Sequence, residues 1–413
     1  MPSMNAAAIF LIMALATALS GCGGRPEGVL LPVAEPTVPT SRVDMLIATT
    51  RAKSPDPGIM FTGERGMTPS FAEITVSMPP DSVRKVGDVQ WPSQLPGNSA
   101  TDFVTLKTTD LSLEQAKSRF NKMVTAMPGR RVIVFIHGFN NRFDDAVYRF
   151  AQIVHDSQVK AVPVMFTWPS RGSVWAYGYD RESTNYSRDA LENLLQFLSR
   201  DPSVGEISVL AHSMGNWVTL EALRQMAIRD GRVNPKIKAV MLAAPDVDIN
   251  VFSRQIALIA PKGPNITLFV SQDDRALAVS RRVWGDIPRL GAIDPTVEPY
   301  KTELAQDKIT TIDLTKLNSD DRLNHGKFAS SPEVVQLIGT RLASGQSVTD
   351  SRVGLGDRIA GVATGAAATV GSAAGLVLSA PLVIVDPNTR ANFNEHASQL
   401  GTNIGDTATG ATP

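Results

Sequence analysis

The sequence predicts an α/β protein: a mostly parallel central sheet with helices on both faces, followed by a Gly/Ala-rich C-terminal tail. Three observations carry the prediction. From residue 131 onward, apolar β-branched runs alternate with stretches of helical period. The runs are continuously apolar, as strands buried on both faces are. Several end in His, Ser or Asp, and a parallel sheet presents its ligand sites beyond the carboxyl ends of its strands.

The elements follow in order. "VDMLIATTR" (43–51) is the first strand-like run, and "FAEITVSMPP" (71–80) is a second that stops at two prolines. "RVIVFIHG" (131–138) is an apolar strand ended by glycine. "DDAVYRFAQIVHDS" (144–157) has helical period, and "AVPVMFTWPS" (161–170) is the next strand. "SRDALENLLQFLSR" (187–200) reads as a helix, "EISVLAHS" (206–213) as a strand and "MGNWVTLEALRQMAIRD" (214–230) as a helix. "KIKAVMLAAPDVD" (236–248) and "NITLFVSQDD" (265–274) are two further strands.

Ala211-His212-Ser213-Met214-Gly215 closes one of these strands and opens a helix, the setting of a nucleophile elbow. Such a corner needs small neighbours two residues before and after the serine, and it thrusts the hydroxyl outward. Ala211 stands where a first glycine is usual. A serine hydroxyl needs a base. Of the five histidines, His155 falls in a helical pattern, His396 lies in the tail, His212 adjoins the serine and suits a pocket wall, and His137 ends an earlier strand. His325, in a late loop, remains as the base and fits the chain order Ser, acid, His. The acid belongs at a strand end between the two. Asp273 and Asp274 supply one candidate and Asp246 and Asp248 another, and spacing leaves both open. In "FIHGFNN" (135–141), His137-Gly138 lets the chain bend, so the N–H groups of Phe139 and Met214 become candidate oxyanion donors.

The blocks "ATTR", "VSMPP", "VIVFIHGFNNRFDDAVYRFAQIVHD", "FTWPSRG", "LAHSMGNW", "LAAPDVD", "SQDDRALAVS" and "NHGKFASSPEV" occur in this order over residues 43–340. Together they resemble an uncharacterised, esterase- or lipase-like bacterial branch of the α/β-hydrolase superfamily. The resemblance implies that Asp274 is the acid, with Asp246 as the alternative. His137, Gly138, Trp168, Ser170 and His212 are the candidate pocket residues, with Trp168 equally placed as ordinary core. The resemblance also implies a serine hydrolase acting on a carboxylic ester, small or lipid-like, through an acyl-enzyme. The same groups would serve an acyltransferase, and a binding scaffold on a hydrolase fold is the non-catalytic alternative. No cofactor is implied, and the scattered histidines lack metal-ligand spacing.

Composition bounds the partners. The 413 residues are 43% hydrophobic and 19% charged, with 40 basic and 40 acidic side chains. That balance argues against nucleic acid, which calls for a basic face. Residues 1–21 read as a signal peptide, and Leu19-Ser20-Gly21-Cys22 resembles a lipobox, although no Lys or Arg precedes it. Cys22, the only cysteine, is therefore the expected lipidation site, and Gly23 after it favours an outer-membrane address facing the periplasm. Residues 22–42 are expected to form a flexible tether, 43–345 the hydrolase domain and 346–413 the tail. Within the tail, 359–385 is uncharged and rich in Gly and Ala, expected as a helical pair or tail that packs on the domain or lies on a membrane, with a membrane span as the alternative.

Overall fold

A computed structural model describes residues 26–317, 319 and 321–344. The expected signal peptide, Cys22, His396 and the tail from 346 lie outside the described residues. Within them, nine strands form one sheet: β1 (Ser41–Lys53), β2 (Phe61–Met78), β3 (Val104–Leu111), β4 (Arg131–Ile136), β5 (Val162–Thr167), β6 (Glu206–His212), β7 (Ile237–Ala243), β8 (Asn265–Val270) and β9 (Thr310–Asp313). Their order is β3-β2-β1-β5-β4-β6-β7-β8-β9. The pairs β1–β2 and β2–β3 are antiparallel, and every pair from β1–β5 to β8–β9 is parallel.

The strands are buried on both faces because their side chains alternate between two cores. Ile133 and Phe135 of β4 join a core with Phe143, Val147 and Phe150 of α2 (Phe143–Asp156) and with Val334 and Ile338 of α9 (Pro332–Ser344). Val132, Val134 and Ile136 join the opposite core. That core is built by α1 (Leu113–Ala126), α3 (Tyr177–Arg200), α4 (Gly215–Asp230) and α5 (Ile249–Ile259). Truncating a core side chain such as Ile133 to Ala is expected to cost about 2–5 kcal/mol. Three shorter helices complete the described chain: α6 (Arg275–Val283), α7 (Tyr300–Gln306) and α8 (Lys327–Ser330).

Several elements depart from the sequence reading. The edge strand β3 and helix α1 were not anticipated. Helix α1 starts at a capping box in which Ser112 and Gln115 satisfy each other's backbone N–H groups, a local signal independent of apolar period. Helix α3 begins at Tyr177, ten residues before the periodic stretch, because its first half buries the polar Asp180, Ser183, Thr184 and Ser187. The described part of the expected flexible tether is ordered. Val29 and Leu30 are buried in the first core, and Val33 N–H donates to Thr105 O at 2.9 Å.

Register decides what sits at the carboxyl edge. Ile136 lies opposite both Phe166 and Ala211, and His212 opposite Ala243. The residues just beyond these positions, His137, Thr167, Ser213 and Ala244, are thereby brought to one end of the sheet.

Candidate active site

The corner after β6 is tightly made. Ser213 N–H donates to Ala243 O at 2.9 Å, extending the β6–β7 ladder by one residue. Ser213 then takes a φ of +53°, a left-handed conformation that costs a non-glycine residue about 1–2 kcal/mol. Such strain persists only where surrounding structure enforces it. Asn140, Ala244 and Asn324, in three adjoining loops, also have positive φ. Two glycines make the corner sterically feasible. A Cβ on Gly215 would lie 2.3 Å from His137 O, and one on Gly138 would lie 2.7 Å from Ser213 Cβ. Helix α4 starts at Gly215, so its positive end faces the corner. Among the described residues, no acceptor takes the backbone N–H of Phe139 or Met214.

The second half of the site comes from the loops after β8 and β9. His325 Nδ1–H donates to Asp274 Oδ2 at 2.7 Å. Asp274 is buried (1% exposed) and also caps α6, accepting from Leu277 N–H at 2.9 Å. Burial opposes a charge on His325. The carboxylate of Asp274, its hydrogen bond and the more distant Asp246 and Asp321 outweigh that penalty and raise the imidazole pKa above its ordinary value. The loop carrying His325 is held by Asp321, whose Oδ2 accepts from the N–H groups of His325 (2.7 Å) and Gly326 (2.8 Å). Asn324 donates to Asp273 Oδ2 at 2.8 Å.

His212 ties this loop to the serine corner. Its Nε2 lies 3.3 Å from His325 O, and its ring lies 4.8 Å from the His325 ring and 4.5 Å from Phe328. Burial, then the neighbouring His325, lower its pKa well below the ordinary value, so it is neutral at pH 7. Ser213 Oγ and His325 Nε2 make no hydrogen bond to each other among the described residues.

Asp246 is engaged elsewhere. It accepts from Tyr177 Oη and Ser280 Oγ, each at 2.6 Å, and lies 3.6 Å from Arg289 Nε. Its backbone N–H nonetheless donates to Ser213 O at 3.2 Å, so it stands beside the corner. Of the two acids left open by spacing, His325 bonds to Asp274.

His137, Trp168 and Ser170 are fully buried behind the corner, and Ser170 also lines a cavity of about 130 Å³ together with Arg51 and Arg142. The His137 and Trp168 rings stack at 4.9 Å, and Trp168 Nε1–H donates to His137 O at 2.9 Å. His137 Nδ1 bonds to Gly138 O at 2.8 Å, and Nε2 bonds to Thr167 Oγ1 at 2.9 Å. Burial and then the adjacent Arg51 push the His137 pKa down to about 3, so it stays neutral. Ser170 Oγ–H donates to Asp180 Oδ2 at 2.5 Å.

Sequence reasoning passed over Arg51 and Lys327. Arg51 is buried, with its pKa lowered to about 10 by burial despite Asp180. It donates to Thr167 Oγ1 (2.8 Å), Ser170 O (2.8 Å) and Asn141 O (2.8 Å), fastening the loop that carries Phe139 to the loop after β5. Lys327 Nζ, also buried, donates to Asp273, Leu314 O and Thr315 O, joining the His325 loop to the loop of the acid. Each carried a signal: a lone charge ending an apolar run in "ATTR", and a lysine two residues after the candidate base in "NHGK".

An apolar cavity of about 310 Å³, lined by Leu46, Phe71, Phe120, Phe166 and Phe197, lies between α1, α3 and the sheet and contains none of these site residues. Among the described residues, no group of three or more His, Cys, Asp or Glu could hold a metal ion, and no helix is long and apolar enough to cross a membrane.

A mostly parallel sheet with a strained serine after one central strand, and an Asp–His pair from the loops after two later strands, has the architecture of an α/β hydrolase. Residues 112–341 match the family described as alpha/beta hydrolase of unknown function (DUF900), and the chain belongs to that family. Among similar proteins, an uncharacterized protein of Nostoc sp. is 27% identical over 169 residues, which span 34% of this chain and 44% of that protein. The match thus covers less than half of that relative. Among solved structures, a Rhizomucor miehei esterase is 12% identical with a TM-score of 0.30, covering 81% of this chain and 90% of that one. An alpha/beta hydrolase enzyme from the metagenome of Lake Arreo is 12% identical with a TM-score of 0.31, covering 81% and 97%. At such scores the structural likeness is slight, and it is the family match that places the chain.

Proposed function

We propose that this hydrolase is a serine esterase, with Ser213 as nucleophile, His325 as general base and acid, and Asp274 as the group that orients and stabilises the imidazolium. The observation that carries the reading is the Asp274–His325 hydrogen bond at 2.7 Å, in the same cluster as a serine held at φ +53°. Asp274 accepts the Nδ1 proton, so the lone pair of His325 is on Nε2, the nitrogen a base must offer. Ser213 Oγ attacks the ester carbonyl carbon while its proton passes to Nε2. The N–H groups of Phe139 and Met214, unpaired among the described residues, receive the oxyanion. His325 then protonates the departing alcohol. Water attacks the acyl-enzyme with His325 again as base, releasing the acid and Ser213. Attack by an alcohol or amine in place of water would give acyl transfer by the same route.

The substrate of this reading is a small or lipid-like acyl ester. The lipobox-like sequence at Cys22 supports a lipid-anchored enzyme of the bacterial envelope, facing the periplasm from the outer membrane, with 359–385 as a second attachment. Fluorophosphonate labelling tests the chemistry. The parent protein is expected to label and Ser213→Ala is not. Equal labelling of both would remove Ser213 from the mechanism. For the anchor, Cys22→Ser is expected to move the protein into the soluble fraction.

A further inference from the structure

The rim around the Ser213 corner is more apolar than a solvated surface requires. Val174 and Trp175 stand out from the short turn that leads into α3, with Trp175 94% exposed. Helix α6 turns Val279 and Val283 outward one helical turn apart, and Trp284 follows at its end. Leu323, exposed two residues before His325, accepts from Arg275 N–H at the start of α6. Tyr177 joins the two sides, with its ring 6.0 Å from Trp284 and 5.0 Å from Phe139, and with its hydroxyl bonded to Ser280 of α6. Single exposed apolar residues need no explanation, but a cluster of this kind marks an interaction surface.

Charge says what kind. Arg275, Arg281 and Arg282 stand exposed among the valines of α6. Arg281 pairs with surface Asp286 at 2.7 Å, and Arg282 has no ion-pair partner among the described residues. Tryptophan and valine interleaved with arginine suit the boundary between acyl chains and anionic headgroups.

We propose that this rim is a docking surface for an anionic lipid bilayer, which seats the Ser213 corner on the membrane and presents it with lipid-borne esters. The substrate class rests on the esterase reading; the docking surface does not. It is separate from any anchor at Cys22, and it makes the membrane the source of substrate as well as the place of attachment. Apolar side chains enter the headgroup region, and the arginines add electrostatic attraction that salt weakens.

The test uses the full-length chain carrying Cys22→Ser, so that no lipid anchor contributes. Its co-sedimentation is measured with phosphatidylglycerol/phosphatidylethanolamine vesicles and with phosphatidylcholine vesicles. The surface variant adds Trp175→Ser and Val283→Ser, exposed residues outside the catalytic machinery. Partition onto anionic vesicles is expected to fall about tenfold in this variant and about fivefold in Arg282→Gln. Hydrolysis of a soluble short-chain ester should stay unchanged in both. Equal partition of parent and surface variant, or equal binding of the parent to neutral and anionic vesicles, would overturn the proposal. If neither chain hydrolyses any ester while their vesicle binding still differs, the docking surface stands and the esterase reading fails.

Discussion

Replacing Asp274 by Asn isolates the role of one carboxylate. Asp274 does two jobs: Oδ1 accepts from Leu277 N–H at 2.9 Å as the cap of α6, and Oδ2 accepts from His325 Nδ1 at 2.7 Å. Asparagine is as good a helix cap as aspartate, so the first job survives and stability should change by less than about 1 kcal/mol. The second job is inverted. The new amide offers an N–H to Nδ1, which moves the imidazole proton to Nε2 and removes the lone pair that the proposed mechanism needs to take the Ser213 proton. Loss of tautomer control of this kind costs about 10⁴-fold in kcat, or about 5.5 kcal/mol at 1.36 kcal/mol per decade. The pH profile should move too. In the parent, Asp274 raises the His325 pKa against the opposing effect of burial, so esterase activity is expected to fall on acidification through a value above the ordinary imidazole pKa. In the variant, that limb should move to lower pH. The assay is kcat for a soluble ester from pH 5 to 9, with thermal melting as the control for folding. A variant that melts like the parent yet keeps more than a tenth of its kcat would refute the assignment. So would an equal loss in Asp246→Asn, because the Asp246 carboxylate is bonded to Tyr177 and Ser280.

Other consequences can be checked on the same protein. Gly215→Val forces a Cβ to within 2.3 Å of His137 O, so the variant should lose about 1–3 kcal/mol in urea unfolding and most of its fluorophosphonate labelling. Lys327→Met leaves the carbonyl of Thr315 without its side-chain donor and Asp273 without its cation; it should lower stability by about 1–3 kcal/mol, and melting as wild type would remove the clamp. His137 has a folded pKa of about 3, below the ordinary 6.5, so the unfolded chain binds its proton first. Its contribution is complete above pH 6.5 and lost as the pH falls toward 3, and melting temperature should drop across that window less steeply in His137→Gln.

The order of elements, the burial of the strands and the placing of Ser213 at a strand–helix corner, of His325 in a late loop and of the two candidate acids at strand ends were legible in the chain because each has a local cause. A fully buried strand must be continuously apolar, and a serine corner tolerates only small neighbours. Helix α3 was half legible, since its buried N-terminal face is polar and leaves no apolar period. What only the tertiary structure decided was partnership. Asp246 and Asp274 both end strands, and register together with the Asp321-held loop bring Asp274, not Asp246, to His325. Likewise a charged residue at the end of an apolar run says nothing of its target. Only the alignment of β1 with β5 puts the Arg51 guanidinium among Thr167, Ser170 and Asn141, because the groups that satisfy a buried charge lie far away in sequence and meet only when the sheet is assembled.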